Sequence, residues 1–281
     1  KEFSSINTKK GFVYGKKGLE LASKIGWEKG IATSYINIGY NYYSESELLK
    51  VLEYWGEALK VHEKLDNKKK VASILGNMGV ISNVWSDYTK ALEYHDKALR
   101  INEELRDKKA IARTLGNMGV VHNAQSDYTK ALEYFGRALK INEELGYKMG
   151  VARNFGNMGI AYREKSNYPK ALEYYGKALK IKEEFGDKKG IAMNLGHMGI
   201  VYYDQSDYPK ALEYYRKALK INEEISNKIG IAGNLSNIGL IYSYQSDYPK
   251  ALEYYKKSLK INELIGNKDV IATNFGNIGL V

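Results

Sequence analysis

The sequence predicts an all-α array of stacked helical hairpins, and three observations carry that prediction: a forty-residue period, helical spacing of apolar residues twice within each period, and turn-forming residues at the two joints. The period is read by aligning 112–119, 152–159, 192–199 and 232–239, which keep register without an insertion. A strict period of this length denotes units that cannot bury an apolar face alone and complete one another's core by stacking. Repetition builds long surfaces rather than one enclosed pocket, so binding is expected before catalysis.

Each element follows from one unit, 188–227. Its first half places Ile191, Leu195, Met198 and Tyr202 at helical spacing, and its second half does the same with Leu212, Tyr215, Leu219 and Ile221. Between them the run Ser206, Asp207, Tyr208, Pro209 reads as a helix start, with Asp207 capping free amides and proline tolerated in the first turn. The chain's three prolines, Pro169, Pro209 and Pro249, all hold this slot. Glycine marks the other joint at Gly146, Gly186 and Gly266, where a left-handed residue ends the second helix.

The paired glycines inside the first helix, Gly116 with Gly119, Gly156 with Gly159 and Gly196 with Gly199, each cost about 1 kcal/mol relative to alanine. Their recurrence predicts close approach of a neighbouring helix. Alanines at 91, 131, 171, 211 and 251, and at 98, 138, 178 and 218, make the same contact from the second helix.

In the unit 148–187, the small residues Gly159, Ala171 and Ala178 and the aromatics Tyr162, Tyr168 and Tyr175 fall where the tetratricopeptide repeat places them. The resemblance spans essentially the whole chain and implies a right-handed α-α superhelix, a solenoid of helix-turn-helix repeats. Two departures stand out. Glu143, Glu183 and Glu223 replace the proline that closes the usual unit, and the period is forty rather than about thirty-four. Together they imply a longer second helix, similar to the extended repeats of Pins-type spindle-orientation adaptors. The expected division is one array: a lone second helix in 1–27, full repeats at 28–67, 68–107, 108–147, 148–187, 188–227 and 228–267, and a lone first helix in 268–281. Such ends suggest a piece of a longer protein.

Composition bounds the function. Apolar residues are 44% of 281, ordinary for a folded domain, and no stretch nears the roughly 18 consecutive apolar residues of a membrane span. The first residues lack a signal peptide's apolar run. Without cysteine there is no disulfide, thiolate metal site or cysteine nucleophile, which agrees with a reducing, cytoplasmic setting. The net charge of +10 is spread through every repeat together with glutamate, so it reads as a solvated surface that favours acidic partners.

Signals of chemistry dissolve into the repeat. His62, His95, His122 and His197 each replace a different residue of other copies and form no ligand set, so neither metal nor cofactor is expected. The pairs Glu103–Glu104, Glu143–Glu144 and Glu183–Glu184 recur at fixed phase, whereas a catalytic pair is needed once. Gly-Asn-Met-Gly at 116–119 lacks the lysine and the preceding strand of a phosphate loop. Most of the 25 tyrosines sit at helix-packing slots, leaving Tyr203 and Tyr244 as better candidates for contacting a ligand.

By resemblance, the first helices line the concave wall of the superhelix. One inward slot there reads Asn37, Asn77, Asn117, Asn157, His197, Asn237 and Asn277, a ladder of amides that each donate and accept. One turn earlier stand Arg113 and Arg153, and a basic residue with asparagine at this spacing resembles a tetratricopeptide carboxylate clamp. Gly116 and Gly156 leave room for a ligand, and Val120, Ile160 and Ile200 offer apolar wall. The expected function is a non-catalytic scaffold that receives an extended or helical, acidic segment of a partner protein. Its binding residues are Asn77, Arg113, Asn117, Val120, Arg153, Asn157, Ile160 and Asn237.

Three alternatives stay open. The ladder can simply solvate the inner face or bond neighbouring repeats. The array can be the sensor or regulatory arm of a larger signalling enzyme. A nucleic-acid-binding array, disfavoured by the dispersed charge, would bind with steep salt dependence.

Overall fold

The computed structural model describes Glu2–Val281, with side chains from Lys10 onward except Asp269. Among the described residues there are fourteen helices and no strand. They pack as two compact units. The first, Glu2–Gly146, contains α1 (Glu2–Lys24), α2 (Glu28–Ser44), α3 (Leu48–Lys64), α4 (Lys68–Val84), α5 (Tyr88–Glu104), α6 (Lys108–Ala124) and α7 (Tyr128–Glu144). The second, Tyr147–Val281, contains α8 (Lys148–Glu164), α9 (Tyr168–Glu184), α10 (Lys188–Asp204), α11 (Tyr208–Glu224), α12 (Lys228–Tyr244), α13 (Tyr248–Ile265) and α14 (Lys268–Gly279). Even-numbered helices are the first of each hairpin and odd-numbered helices from α3 to α13 are the second.

The joints follow from residue chemistry. Proline occupies the first turn of α9, α11 and α13. Asp87, Asp127, Asp207 and Asp247 cap their helices by accepting from the amides of Lys90, Lys130, Lys210 and Lys250. Between hairpins, Gly26, Gly146, Gly186 and Gly266 adopt left-handed φ of 69°, 63°, 64° and 74°, as glycine there predicts. The turn inside each hairpin differs from expectation. Ser46, Ser86, Ser126, Ser166, Ser206 and Ser246 all take φ between 55° and 62°. The turn therefore runs Ser in the left-handed region, then Asp as cap in four hairpins and Asn167 in a fifth, with proline in the first turn where present; Glu47 makes no side-chain cap.

The interior glycines are explained by aromatic rings. A methyl added at Gly119 would lie 2.5 Å from Phe135, one at Gly159 2.6 Å from Tyr175, and one at Gly199 2.7 Å from Tyr215. Gly79 faces His95 and Gly239 faces Tyr255 in the same manner. The close neighbour is thus a second-helix ring packed against first-helix backbone, and Ala91, Ala131, Ala171, Ala211 and Ala251 pack with no exposed surface. Two second-helix glycines have no such neighbour. Gly136 and Gly176 lie within helices with nothing within 4 Å of an added methyl. Gly136→Ala and Gly176→Ala are each expected to raise stability by up to about 1 kcal/mol, read as an increased urea midpoint.

The tyrosines divide by slot. Tyr175, Tyr215 and Tyr255 are core residues. Tyr162 stacks on Tyr174 at 5.3 Å, Tyr202 on Tyr214 at 5.2 Å and Tyr242 on Tyr254 at 5.6 Å, half-buried pairs with Lys170, Lys210 and Lys250 over the first ring of each. Exposed ion pairs join the two ends of a hairpin, Lys68 to Glu104 at 2.9 Å, Lys108 to Glu144 at 3.3 Å and Lys188 to Glu224 at 3.1 Å. They give the recurring glutamates a structural use, though pairs this exposed contribute little to stability.

Candidate functional site

In the first unit, Asn77 on α4 and Asn117 on α6 are half-buried, while Arg113 and Val120 on α6 are exposed. The two helices touch directly. Gly116, expected to leave room for a ligand, is buried. In the second unit, α8 carries exposed Arg153 with half-buried Asn157 and Ile160, and α12 carries half-buried Asn237. Asn37 is exposed and Asn277 half-buried.

Among the described residues, the side-chain amides of Asn77, Asn117, Asn157 and Asn237 make no hydrogen bond and are not sealed from solvent. Bonds across hairpins come instead from a second polar row three residues earlier. Asn194 donates to the Tyr175 carbonyl at 3.2 Å and accepts from Lys182 at 2.9 Å. Asn274 donates to Ser258 Oγ at 3.1 Å, and Ser258 donates to the Ala232 carbonyl at 2.8 Å. In the first unit Asn102 donates to Thr114 at 3.3 Å. Asn154, Asn194, Asn234 and Asn274 recur at the forty-residue period, a signal present in the sequence but not separable there from the row at 157, 197, 237 and 277.

Arg153, Asn157 and Ile160 come together on a cavity of about 400 Å³, joined by Lys182, Asn194 and His197. Gly156 opens it, since an added methyl would meet nothing nearer than Asn194 Oδ1 at 4.0 Å. One repeat on, Asn237 lines an equivalent cavity of about 310 Å³ with His197, Ile200, Asn222 and Asn234. Burial pushes the Lys182 ammonium below its ordinary pKa, and the charge of Asp187 offsets this in part. Burial, with the charges of Arg163 and Lys182, lowers His197 to about 4, so it is neutral at pH 7.

Tyr203 and Tyr244 meet edge to face at 5.7 Å, with Tyr208 6.1 Å from Tyr244, forming an aromatic cluster rather than two separate contact residues. Burial and the neighbouring Tyr244 raise the Tyr203 phenol pKa. Among the described residues no three His, Asp or Glu side chains gather as a metal set, and no helix is long and apolar enough to cross a membrane.

Comparison with known structures returns proteins of similar fold. The crystal structure of the apo form of RapI aligns with TM-score 0.64 at 19% identity, covering 89% of this chain and 95% of that one. A Rap protein complexed with Competence and Sporulation Factor gives 0.66 at 14%, covering 89% and 74%. A signal transduction ATPase with numerous domains and a tetratricopeptide repeat sensor, from Pyrococcus horikoshii, gives 0.61 at 18%, covering 99% of this chain and 47% of that protein. At these identities the likeness is one of fold. Compared with curated protein sequences, the chain has no match. The family model for the tetratricopeptide repeat matches four overlapping stretches, 71–144, 110–184, 148–224 and 190–264. With that match across most of its length and helical hairpins at a forty-residue period, the chain belongs to the tetratricopeptide repeat family.

Proposed function

We propose that this chain is a non-catalytic interaction module that takes an extended or helical acidic segment of a partner protein along its first-helix faces. The observation that carries the reading is the division of labour between two asparagine rows. One row, Asn154, Asn194, Asn234 and Asn274, is buried, with Asn194 and Asn274 bonded across the joints between hairpins, whereas Asn77, Asn117, Asn157 and Asn237 are half-buried with amides that make no hydrogen bond among the described residues. Each amide is worth about 0.5–1.5 kcal/mol to a peptide backbone, so affinity comes from several together. Arg113 and Arg153 supply the preference for acid. The Rap protein that aligns with this chain was solved with Competence and Sporulation Factor bound, which supports a binding use of this architecture.

Titration of labelled acidic peptides against the Arg113→Ala/Arg153→Ala double variant tests this. Losing charge-assisted bonds of about 1.5–3 kcal/mol each is expected to weaken binding by at least tenfold, with little change in melting midpoint because both side chains are exposed. Unchanged affinity removes the arginines from the site.

A second reading, the sensor arm of a larger signalling protein, is favoured by one alignment. Nearly all of this chain superposes on about half of a signalling ATPase that has a tetratricopeptide repeat sensor. The full reading frame tests it: an adjoining nucleotide-binding domain supports it, and a chain with no further domain contradicts it.

A further inference from the structure

Among the described residues, Lys182 is the one buried lysine, 5% exposed near the end of α9. Its slot in the other repeats holds His62, Asn102, Asn142, Asn222 and Asn262. The ammonium has three N–H donors and two neutral acceptors, Asn194 Oδ1 at 2.9 Å and the Gly190 carbonyl at 3.4 Å, and it forms no ion pair. Arg163, also partly buried in this unit, shows the usual alternative, since it pairs with Glu164 and with Asp204 at 3.9 Å. The nearby carboxylate, Asp187, is engaged elsewhere: its Oδ1 caps α10 by accepting from the Gly190 amide at 2.9 Å. Asp107 makes the same cap to Ala110 at 2.9 Å in a repeat whose corresponding residue is the neutral Asn102, so aspartate at this slot is there for the cap.

A buried ammonium without an ion pair is costly, and the cost is relieved either by giving up the proton or by a ligand that completes the pair. Lys182 lines the cavity of about 400 Å³ with exposed Arg153 as a second cation, the cap-bound Asp187, neutral His197 and the donor amide of Asn157, so the two cations outnumber the one carboxylate. The equivalent cavity one repeat on has Asn222 in the lysine slot, already bonded by Asn227 Nδ2 at 2.8 Å. Successive repeats therefore offer cavities of the same construction, the first with a buried ammonium beside Arg153 and Asp187, the second with Asn222 in that place and only the exposed Lys189 as a cation. We infer that the Lys182 cavity is a specificity pocket that accepts one side-chain carboxylate of the bound segment, held between Lys182 and Arg153, while the Asn222 cavity, which has no buried ammonium and only the exposed Lys189, accepts an uncharged side chain. This rests on the first-helix face being the peptide-binding face.

The test uses the full chain and two probes. Acetate and its neutral isostere acetamide are titrated at constant ionic strength while the side-chain signals of Asn194 and His197 are followed by NMR. Acetate is expected to shift both saturably and acetamide not; equal responses overturn the pocket. Lys182→Asn, which installs the residue of other repeats, is expected to fold with an unlowered melting midpoint and to lose the acetate response. Random peptides displayed with fixed flanks on both ends, so that no free chain end is available, are then selected. Wild type is expected to enrich an acidic residue at one position. Lys182→Asn is expected to lose that preference and at least about tenfold in affinity for the enriched peptide, and Asn222→Lys to enrich a second acid. Peptides enriched without a Lys182-dependent acid overturn this inference and leave the binding face intact. An acetate response with no peptide enriched overturns the peptide reading itself, and with it the side-chain source of the carboxylate.

Discussion

Phe135→Ala is expected to cost about 3–5 kcal/mol of stability, the largest effect of any single substitution considered for this chain. The ring is 1% exposed and packs against α6 at Gly119. Gly119→Ala probes the same contact from the other side. Helix propensity alone favours alanine by about 1 kcal/mol, but its methyl would stand 2.5 Å from the Phe135 ring. Both partners are enclosed, so overpacking of about 1–3 kcal/mol is expected to prevail and the urea midpoint to fall. The double variant Gly119→Ala/Phe135→Ala should lose less than the sum of the two, because the methyl occupies space the ring has left. Additive losses would mean that ring and glycine do not touch.

His95→Phe is expected to stabilise the protein, and increasingly so in acid. His95 holds the ring slot of Phe135, Tyr175, Tyr215 and Tyr255, is 1% exposed, and has no partner for either ring nitrogen. Burial lowers its pKa from 6.5 to about 4. Above pH 6.5 both folded and unfolded chains carry it neutral, so it imposes no pH dependence. As pH falls from 6.5 toward 4, the unfolded chain binds a proton that the folded chain refuses, and stability drops by about 1.4 kcal/mol per pH unit. Phenylalanine removes that linkage, so the difference between variant and wild type should widen by about 2–3 kcal/mol between pH 7 and pH 4.5. Urea unfolding at several pH values measures it, and parallel pH profiles would show that His95 is protonated in the folded state. His197 keeps its own dependence in both proteins, since its pKa is also about 4.

The period made most of the fold legible. A forty-residue repeat with proline at 169, 209 and 249 places the second helices, and glycine at 146, 186 and 266 marks the left-handed joints that the backbone adopts. The serines at positive φ were not legible, because serine carries no signal for that conformation and the stable Asp cap beside it explained the turn alone. Of the site, Arg153, Asn157 and Ile160 were predicted together and line one cavity. The resemblance picked out the row at 77, 117, 157 and 237, but periodicity alone does not separate it from the buried row three residues earlier, for residues three apart share a helix face and both rows repeat with the same period. Lys182 was visible as a departure from Asn102, Asn142, Asn222 and Asn262, yet such departures usually mean drift, as at His95. Its burial without an ion pair is a property of packing that periodicity does not carry.

The proposed recognition face is tested most directly by NMR of the ¹⁵N-labelled chain during titration with the tightest-binding acidic peptide. The side-chain amides of Asn77, Asn117, Asn157 and Asn237 should shift saturably, while those of Asn102 and Asn274, committed to joints between hairpins, hold still. Shifts confined to the outer tyrosine pairs of the hairpins, with the four amides unmoved, would contradict it.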